Sequence, residues 1–308
     1  MTFDLKKEIR LNKVKDLGNG LTRIIADNPG PMTYKGTCTY LLGHDSIAII
    51  DPGPNSSEHL KLILKKLNGR KVSNIILTHS HLDHSGLAKK LSYVTNAPIF
   101  LFGSNNNYRS STMRKLFKSA ELPTYKNFFR GAELKFLRDG EQLKGNDWTL
   151  EVVYTPGHFY DHICLSWIEQ TVLFSGDHVM GWSSTLIAPP DGDMKDFMES
   201  LKKLSLRPEK IYFPGHGPVM INGSDFVSQQ ISHRVNREKE ILKELLIADY
   251  SALELASKIY ENLESSLYQA GVQTIFAHLI DLYMRKIISC EKQVSINSRF
   301  KLKYYNET

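Results

Sequence analysis

Four side chains that could bind metal ions lie within six residues of one another, in the segment His79-Ser80-His81-Leu82-Asp83-His84. Imidazole and carboxylate groups are ligands that zinc and similar divalent ions accept in proteins. The segment follows an apolar run that predicts a strand. An extended backbone would therefore point His79 and His81, two residues apart, to one side. Asp83 and His84 fall in the first turn of the next predicted helix, so this one segment could supply ligands to two ions.

Three later segments have a similar form, in which an apolar strand runs into a glycine-containing turn that carries a histidine or an aspartate. They are YTPGH, FSGDH and YFPGHG, and they supply His158, Asp177 and His216. A shared rim of strand ends is a common place to gather functional side chains from distant parts of a chain. The predicted metal ligands are His79, His81, Asp83, His84, His158, Asp177 and His216. The histidines at positions 44, 59, 233 and 278 lie in helix or loop contexts and are interpreted as structural.

Three further residues lie close to these ligands in the sequence. His162 and His178 could donate a proton to a leaving group, or they could support the ligands from behind. We predict catalytic roles for Asp83 and His162. Asp51 either accepts a hydrogen bond from a ligand imidazole or simply forms the turn before Pro52.

The composition is that of an ordinary globular protein. The chain has 308 residues, of which 41% are hydrophobic, and a net charge of +6. This excludes the fibrous and disordered classes and permits an anionic partner without requiring one. Three widely spaced cysteines, at positions 38, 164 and 290, indicate no disulfides and no cysteine metal site. The first twenty residues mix charged and apolar types, so we expect a soluble, cytoplasmic protein without a membrane partner.

The predicted elements divide the chain into two parts near Gly223. Residues 21–50 read as a meander of strands, and a β-α-β-α pattern follows. Further strands are predicted at 150–154, 163–167, 171–175 and 211–213, with a helix at 194–204. Three long helical patterns come next, and then two short strand candidates, KQVSIN and RFKLKYY. We predict a catalytic domain at 1–222 and a small winged-helix-like helical domain at 223–308.

The run from His79 to His84 resembles the signature of the metallo-β-lactamase fold superfamily, over residues 21–219. The resemblance implies an α/β (α+β) fold, a four-layer αββα sandwich with the site at one edge of two packed sheets. It also implies that His79, His81 and His158 bind one ion, that Asp83, His84 and His216 bind the other, and that Asp177 bridges them. The segments IIDPGP, TPGHFYDH, SGDHVMGW and FPGHGPV are most similar to the β-lactamase-like protein 2 branch, which carries a C-terminal winged-helix segment. Cys38 and Phe159 stand where that branch usually has Asn and Thr.

This site chemistry predicts a hydrolase with two divalent metal ions per chain, for which we expect Zn²⁺, with Mn²⁺ or Fe²⁺ as alternatives. In such sites a hydroxide held between the two ions attacks the substrate. Asp83 could orient that hydroxide while it binds the second ion.

Two substrate classes remain open at the level of sequence. The first is single-stranded RNA, as in the endoribonucleases of the resembling branch, and the second is a small acyl compound such as a thioester or a lactone. Residues 101–144 contain nine basic and four acidic residues. Aromatic residues at positions 108, 117, 125, 128, 129 and 136 lie among them and could stack on bases or belong to the core. Residues 285–303, with six basic residues and one acidic residue, could bind nucleic acid or a second subunit.

A third interpretation is a protein that binds nucleic acid through its winged helix and has no catalytic activity. The complete ligand set argues against this class. The many apolar positions of TIFAHLIDLYMRKII also lead us to expect a homo-oligomer.

Overall fold

Two sheets form the centre of the computed structural model, which describes residues 13–103, 109–118, 125–260, 264–291 and 293–303. The first sheet contains β1 (Val14–Gly18), β2 (Leu21–Ile25), β3 (Cys38–Leu42), β4 (Ser46–Ile50), β5 (Lys71–Ile76), β6 (Ile99–Phe102) and β7 (Leu134–Leu137), in that order. Strands β1 to β4 are antiparallel, and β4 to β7 are parallel. The predicted meander and the β-α-β-α pattern are thus both confirmed.

The second sheet is mostly antiparallel. It contains β8 (Gln142–Lys144), β9 (Thr149–Tyr154), β10 (Ile163–Trp167), β11 (Val172–Gly176), β12 (Ile211–Pro214) and β13 (Met220–Ile221), in the order β13-β12-β11-β10-β9-β8. Strands β11 and β12 are parallel neighbours. The turns after both strands therefore lie at the same edge of the sheet, which brings the residues after Gly176 close to those after Pro214.

Helices connect and cover the sheets. They are α1 (Ser57–Leu67), α2 (Leu82–Ser85), α3 (Ala88–Thr95), α4 (Ser111–Leu116), α5 (Tyr125–Phe128) and α6 (Met194–Ser205), with a short 3₁₀ turn at Ile168–Gln170. The α1 helix begins after Ser56, whose side chain accepts a hydrogen bond from the backbone N–H of His59. It ends at Asn68, which adopts the left-handed conformation, and Gly69 follows.

The buried side chains define four layers. Successive residues of β4 point to opposite faces, so Ala48 and Ile50 pack between the two sheets, whereas Ile47 and Ile49 pack under α1 and α3. On the far side, Phe197 of α6 belongs to a cluster that covers the second sheet. The arrangement is therefore helix, sheet, sheet, helix, which confirms the predicted αββα sandwich.

Three helices and a small sheet complete the chain: α7 (Gly223–Leu245), α8 (Ala252–Ile259), α9 (Ser265–Met284), and the antiparallel pair β14 (Ile288–Cys290) and β15 (Phe300–Leu302). Val227 of α7 and Ala277 of α9 pack in the cluster around α6, and the far end of α7 packs against α8 and α9. The order of elements is the one predicted. The winged-helix arrangement and the domain boundary at Gly223 stay predictions.

One predicted strand is wrong. The candidate KQVSIN contributes no strand in its described part, residues 293–297, and β14 lies before it. Ser298 explains the difference, because its hydroxyl donates to the carbonyl of Gln293 and accepts from the backbone N–H of Ser295. These local bonds hold a turn where the alternating sequence favoured a strand.

Candidate metal centre and adjoining cavity

Three predicted ligands converge with their ring nitrogens facing one another. The Nε2 atom of His79 lies 2.9 Å from Nδ1 of His81, and Nε2 of His158 lies 3.2 Å from the same atom. His79 and His81 follow β5, and His158 follows β9 of the other sheet. One proton can join only two of these nitrogens, whereas a cation among them would be bound by all three.

The second predicted set converges beside the first. His216 Nε2 lies 3.2 Å from His84 Nε2 and 3.2 Å from Asp83 Oδ2. The side chain of Asp83 is 30% exposed, whereas His84 and His216 are buried. Asp83 is therefore the most accessible member of this set.

Asp177 lies between the two sets. Its Oδ2 atom is 3.3 Å from His216 Nε2 and 3.8 Å from His158 Nε2. Its Oδ1 atom is buried and has no hydrogen bond within the described residues, although His84 Nε2 lies 3.4 Å away. Buried carboxylate oxygens are normally hydrogen-bonded or bound to metal, so the donor set fits a cation on both sides of Asp177.

Three groups of side chains could each hold a metal ion, since the ligand atoms within each group lie within 4.8 Å of one another. Every residue in these groups is one of the seven predicted ligands. None of these groups includes a histidine at position 44, 59, 233 or 278. The structure thus brings the seven selected side chains together, and metal binding by them stays a prediction. The assignment of ions to ligands stays a prediction.

Hydrogen bonds behind the rings fix how the ligands point. Asp51 accepts from Nδ1 of His84 at 2.8 Å and from both the backbone N–H and the hydroxyl of Thr78, at 2.8 and 2.7 Å. The structure thus supports the hydrogen-bonding interpretation of Asp51. His158 Nδ1 lies 2.7 Å from the carbonyl of Leu186, which leaves Nε2 free to face the other ligands.

Glycine allows the loop after β12 to approach the ligands closely. A Cβ atom on Gly215 would lie 2.3 Å from Oδ1 of Asp177 and 2.7 Å from Cε1 of His84. No side chain fits there without displacing a ligand. The glycine before His216 is therefore a requirement of the site.

The two sets differ in electrostatics. Burial, reinforced by the neighbouring imidazoles, lowers the pKa of His79 well below its usual value and that of His81 to about 3. Burial also opposes protonation of His84 and His216, but the neighbouring carboxylates, Asp177 first among them, together outweigh it. The pKa of His84 therefore rises well above its usual value, and that of His216 rises to about 9. The first set therefore presents free lone pairs at neutral pH. The second holds protons that a cation would replace.

His162 and His178 lie behind the ligands, away from solvent. His162 Nε2 accepts from the backbone N–H of Asp177 at 3.1 Å, and its Nδ1 lies 2.9 Å from the hydroxyl of Thr155. Both ring nitrogens thus have partners within the protein, and one of them holds the backbone of Asp177, which favours a positioning role over proton donation. His178 packs on the ring of Phe197 at 4.5 Å, and burial lowers its pKa to about 3. It is therefore neutral, and it is part of the core.

The two unusual residues also take defined positions. The ring of Phe159 packs edge-on against His81, with centroids 4.3 Å apart. Cys38 is buried at the start of β3, where its backbone N–H donates to the carbonyl of Gly215. Neither residue displaces a predicted metal ligand, and the ring of Phe159 covers one side of His81.

A cavity of about 280 Å³ opens onto the ligands. Its floor includes His81, Asp83, His158, Asp177 and His216. Its walls are mostly apolar, and two parts of the chain supply them: Pro31, Met32, Met180, Trp182 and Leu186 from the sandwich, and Tyr260, Leu267, Ala270 and Gly271 from the C-terminal helices. The C-terminal helices thus form one side of the candidate active site.

Arg234 also lines this cavity, and sequence reasoning missed it. It occurs in SHRVNREKE, a run with several charged residues, and nothing in the spacing separates it from the surface charges beside it. Only the packing of α7 against the sandwich shows that this arginine is buried.

The described aromatic residues of the basic segment are, with one exception, buried or partly buried. Phe129 is 1% exposed, and the buried Tyr125 donates through its hydroxyl to Asp161 at 2.6 Å. Arg109 is 6% exposed and forms an ion pair with Asp191. Phe128, by contrast, is 41% exposed. The described part of this segment therefore offers one open ring, and Tyr108 lies outside the described residues.

The chain belongs to the metallo-β-lactamase superfamily, because its residues 33–216 match the sequence pattern of that family. The family and the convergent ligand set together define a metallo-β-lactamase-fold hydrolase. Among the described residues, no helix is both long enough and apolar enough to cross a membrane.

Similarity to one relative extends along nearly the whole chain. A "Beta-lactamase-like protein 2 homolog" from Caenorhabditis elegans is 30% identical over 93% of this chain and 90% of its own length. An "Atrochrysone carboxyl ACP thioesterase" from Aspergillus fumigatus is 30% identical over 75% of this chain and 67% of its own length. A β-lactamase domain protein from Burkholderia ambifaria has the same fold, with a TM-score of 0.79, 20% identity and coverage of 98% of this chain and 97% of its own.

Proposed function

We propose that this protein is a dinuclear metal-dependent hydrolase of acyl compounds and that its substrate is a thioester. The observation that carries the substrate class is the cavity, because its ligand-bearing floor is joined to apolar walls that include Met32, Met180 and Leu267. Such walls suit an acyl chain, whereas a single-stranded RNA needs an extended groove with several cations along its backbone. Two relatives named as thioesterases, from Aspergillus fumigatus and Emericella nidulans, support the same choice.

In this proposal His79, His81 and His158 hold one divalent ion, Asp83, His84 and His216 hold the other, and Asp177 contacts both. When bound, such ions supply an activated water and polarise the carbonyl of the substrate. The donor set accepts zinc, manganese and iron, and we expect zinc.

The chain's own residues contribute orientation and exclusion of water. Asp83, partly exposed at the cavity floor, is placed to accept a proton from the attacking water and to orient it. Asp51 and Leu186 hold the rings of His84 and His158. Phe159 covers His81.

The test is a comparison of three substrate classes with metal-loaded protein: butyryl-pantetheine, an acyl-homoserine lactone and a labelled single-stranded RNA. We expect thioester hydrolysis by the wild type, loss of activity in Asp83→Ala, and unchanged activity in Asp45→Ala, a matched change at an exposed position. Cleavage of RNA without turnover of the thioester would refute the proposed substrate. Turnover by Asp83→Ala at the wild-type rate would refute the assigned site.

A further inference from the structure

Arg234 is a buried cation in the wall of the cavity. It lies on α7, its residue is 2% exposed, and it lines the same space as Asp83, Asp177 and His216. Burial lowers the pKa of its guanidinium only to about 10. The side chain therefore carries a full positive charge at neutral pH.

The charge of Arg234 has no carboxylate partner within the part of the chain that the structure describes. One Nη2 atom donates to the backbone carbonyl of Thr185, and the guanidinium lies 5.3 Å from the ring centre of Phe197. Its Nε atom is buried and has no hydrogen-bond partner among the described residues. Arg285, in contrast, pairs with both Glu238 and Asp281.

Buried charges in proteins are normally paired, because removal from water is costly and only a counter-charge offsets it. Two neighbours act on the charge of Arg234: Tyr260 raises its pKa, and the positive charge of Arg237 lowers it. A cavity with a reactive floor, apolar walls and one unpaired guanidinium has the form of a site for a molecule that carries its own negative charge.

We propose that Arg234 binds an anionic group of the substrate, a carboxylate or a phosphate, while the scissile acyl group lies at the metal ligands. The inference rests on the proposed acyl hydrolase function and narrows its substrate to an anionic thioester. A planar guanidinium carries several N–H donors in one plane and can bind two oxygens of such a group side by side.

A structural role for Arg234 makes a different prediction. The hydroxyl of Thr185 donates to the carbonyl of Asp177 at 2.7 Å, so Arg234 could hold the Asp177 loop through Thr185. A displaced loop would slow the hydrolysis of all substrates by a similar factor. An anion site affects only the substrates that carry the anion.

Three thioesters distinguish an anion-binding role of Arg234 from a structural one, and a carboxylate from a phosphate. Butyryl-pantetheine is neutral, glutaryl-pantetheine carries a carboxylate on the acyl side, and butyryl-4′-phosphopantetheine carries a phosphate on the thiol side. Each is tested with wild type, Arg234→Met, Arg234→Lys and the control Arg285→Met, whose arginine is paired and lies outside the cavity lining.

We expect Arg234→Met to raise KM for at least one anionic substrate by roughly 10- to 100-fold, the usual effect of losing a charged hydrogen-bond partner. In Arg234→Met the KM for the neutral thioester and the kcat should stay close to the wild-type values. Arg234→Lys should recover part of the loss, and Arg285→Met should match the wild type. An effect on glutaryl-pantetheine alone assigns a carboxylate, and an effect on the phosphorylated thioester alone assigns a phosphate. Equal losses on all three substrates, or no loss on either anion, would overturn the proposal.

A binding measurement keeps this inference separate from the proposed function. Calorimetric titration of metal-loaded protein with glutarate and with inorganic phosphate should show about tenfold weaker binding of at least one anion in Arg234→Met. If the wild type hydrolyses no thioester, the proposed substrate is refuted. Weaker anion binding by Arg234→Met than by the wild type would still support the anion site. Equal affinities in wild type, Arg234→Met and Arg234→Lys would overturn the anion site whatever the activity. The Lys variant also covers the case in which the Met variant does not fold.

Discussion

At the scale of single residues, the orientation of each ligand depends on groups that do not face the cavity. Asp51 is 2% exposed, and its left-handed backbone conformation, with φ of 50°, places its carboxylate between Thr78 and His84. One side chain thus anchors the end of β5 and also fixes the tautomer of a ligand, since Nδ1 of His84 must carry the proton that Asp51 accepts.

Asp51→Asn should weaken metal binding by about 10- to 100-fold while the protein remains folded. The oxygen of the amide can still accept a hydrogen bond from Thr78. The NH₂ group that replaces the other carboxylate oxygen cannot accept one, so a hydrogen bond that the carboxylate accepted is lost. The measurement is the zinc dissociation constant in competition with a chelator. Asp45→Asn, at an exposed position, is the control. Equal affinities in the two variants would contradict this role for Asp51.

Asp161 should make stability depend on pH. It is buried against Tyr125 and Ser80, and burial raises the pKa of its carboxyl to about 6. Because the raised pKa favours the protonated form of the folded state, the stabilisation is complete below the unfolded-state pKa and is lost as pH rises through about 6.

In metal-free protein, the free energy of unfolding of the wild type relative to Asp161→Asn should fall by up to roughly 3 kcal/mol between pH 4 and pH 7. Urea unfolding at both pH values measures this difference. Asp45→Asn should show no such change. A difference between wild type and Asp161→Asn that is the same at pH 4 and pH 7 would show that the carboxyl titrates normally.

The residues that sequence could identify were those whose spacing alone restricts their role. A run of two histidines and an Asp-His pair at the end of a strand has few roles other than metal binding. The candidate centre contains all four of these side chains. His162 could not be resolved, because proton donation and support of Asp177 both require a histidine near the ligands. Arg234 could not be found at all, since its burial depends on packing between distant elements.

At the scale of elements, strand ends carry the site. The ligands follow β5, β9, β11 and β12, and the helix α6 packs against the turn that carries His158. A Cβ atom on Gly157 would lie 2.2 Å from Cα of Phe197 in α6, and Gly157 has φ of +130°. The close approach of this turn to α6 therefore depends on a glycine.

Gly157→Ala should lower the free energy of unfolding by roughly 3 kcal/mol, through backbone strain and displacement of α6, and should also weaken metal binding at His158. Gly131→Ala is a matched control, because Gly131 has φ of +91° and nothing lies within 4 Å of the added atom. It should cost only about 1 kcal/mol. Denaturant unfolding compares the two, and equal losses would show that crowding at α6 contributes nothing.

Helix and strand positions followed from the sequence where apolar periodicity was long. The α6 helix begins at Met194 as predicted and ends within one residue of the predicted end, and β10 has the predicted bounds. The first strand of the final hairpin was misplaced, whereas β15 lies within the predicted RFKLKYY, and both strands have only three residues. Runs that short carry little periodicity, and serine hydrogen bonds decided the local structure instead.

At the scale of the whole molecule, the candidate centre joins parts of the chain that the sequence divides. The run His79–His84 follows a strand of the first sheet, whereas His158, Asp177 and His216 follow strands of the second. Bound metal would therefore link the two sheets. The C-terminal helices complete the cavity, an arrangement that the predicted boundary at Gly223 did not anticipate.

Removal of metal by a chelator should lower the melting temperature by roughly 10 °C, because a ligand at a thousand times its Kd contributes about 4 kcal/mol to the folded state. Re-addition of zinc should restore it. Magnesium, which prefers oxygen ligands, should not. Differential scanning calorimetry gives the comparison. A melting temperature insensitive to chelator would show that the sheets are not linked in this way.

The central claim is that seven side chains form one site for two metal ions. The direct test is elemental analysis of zinc-loaded, dialysed protein for wild type, His216→Ala and the control His44→Ala, an exposed histidine outside the site. The expected result is close to two ions per chain in wild type and His44→Ala, and about one in His216→Ala. Wild-type protein without bound metal, or a His216→Ala variant that retains the full complement, would contradict the claim.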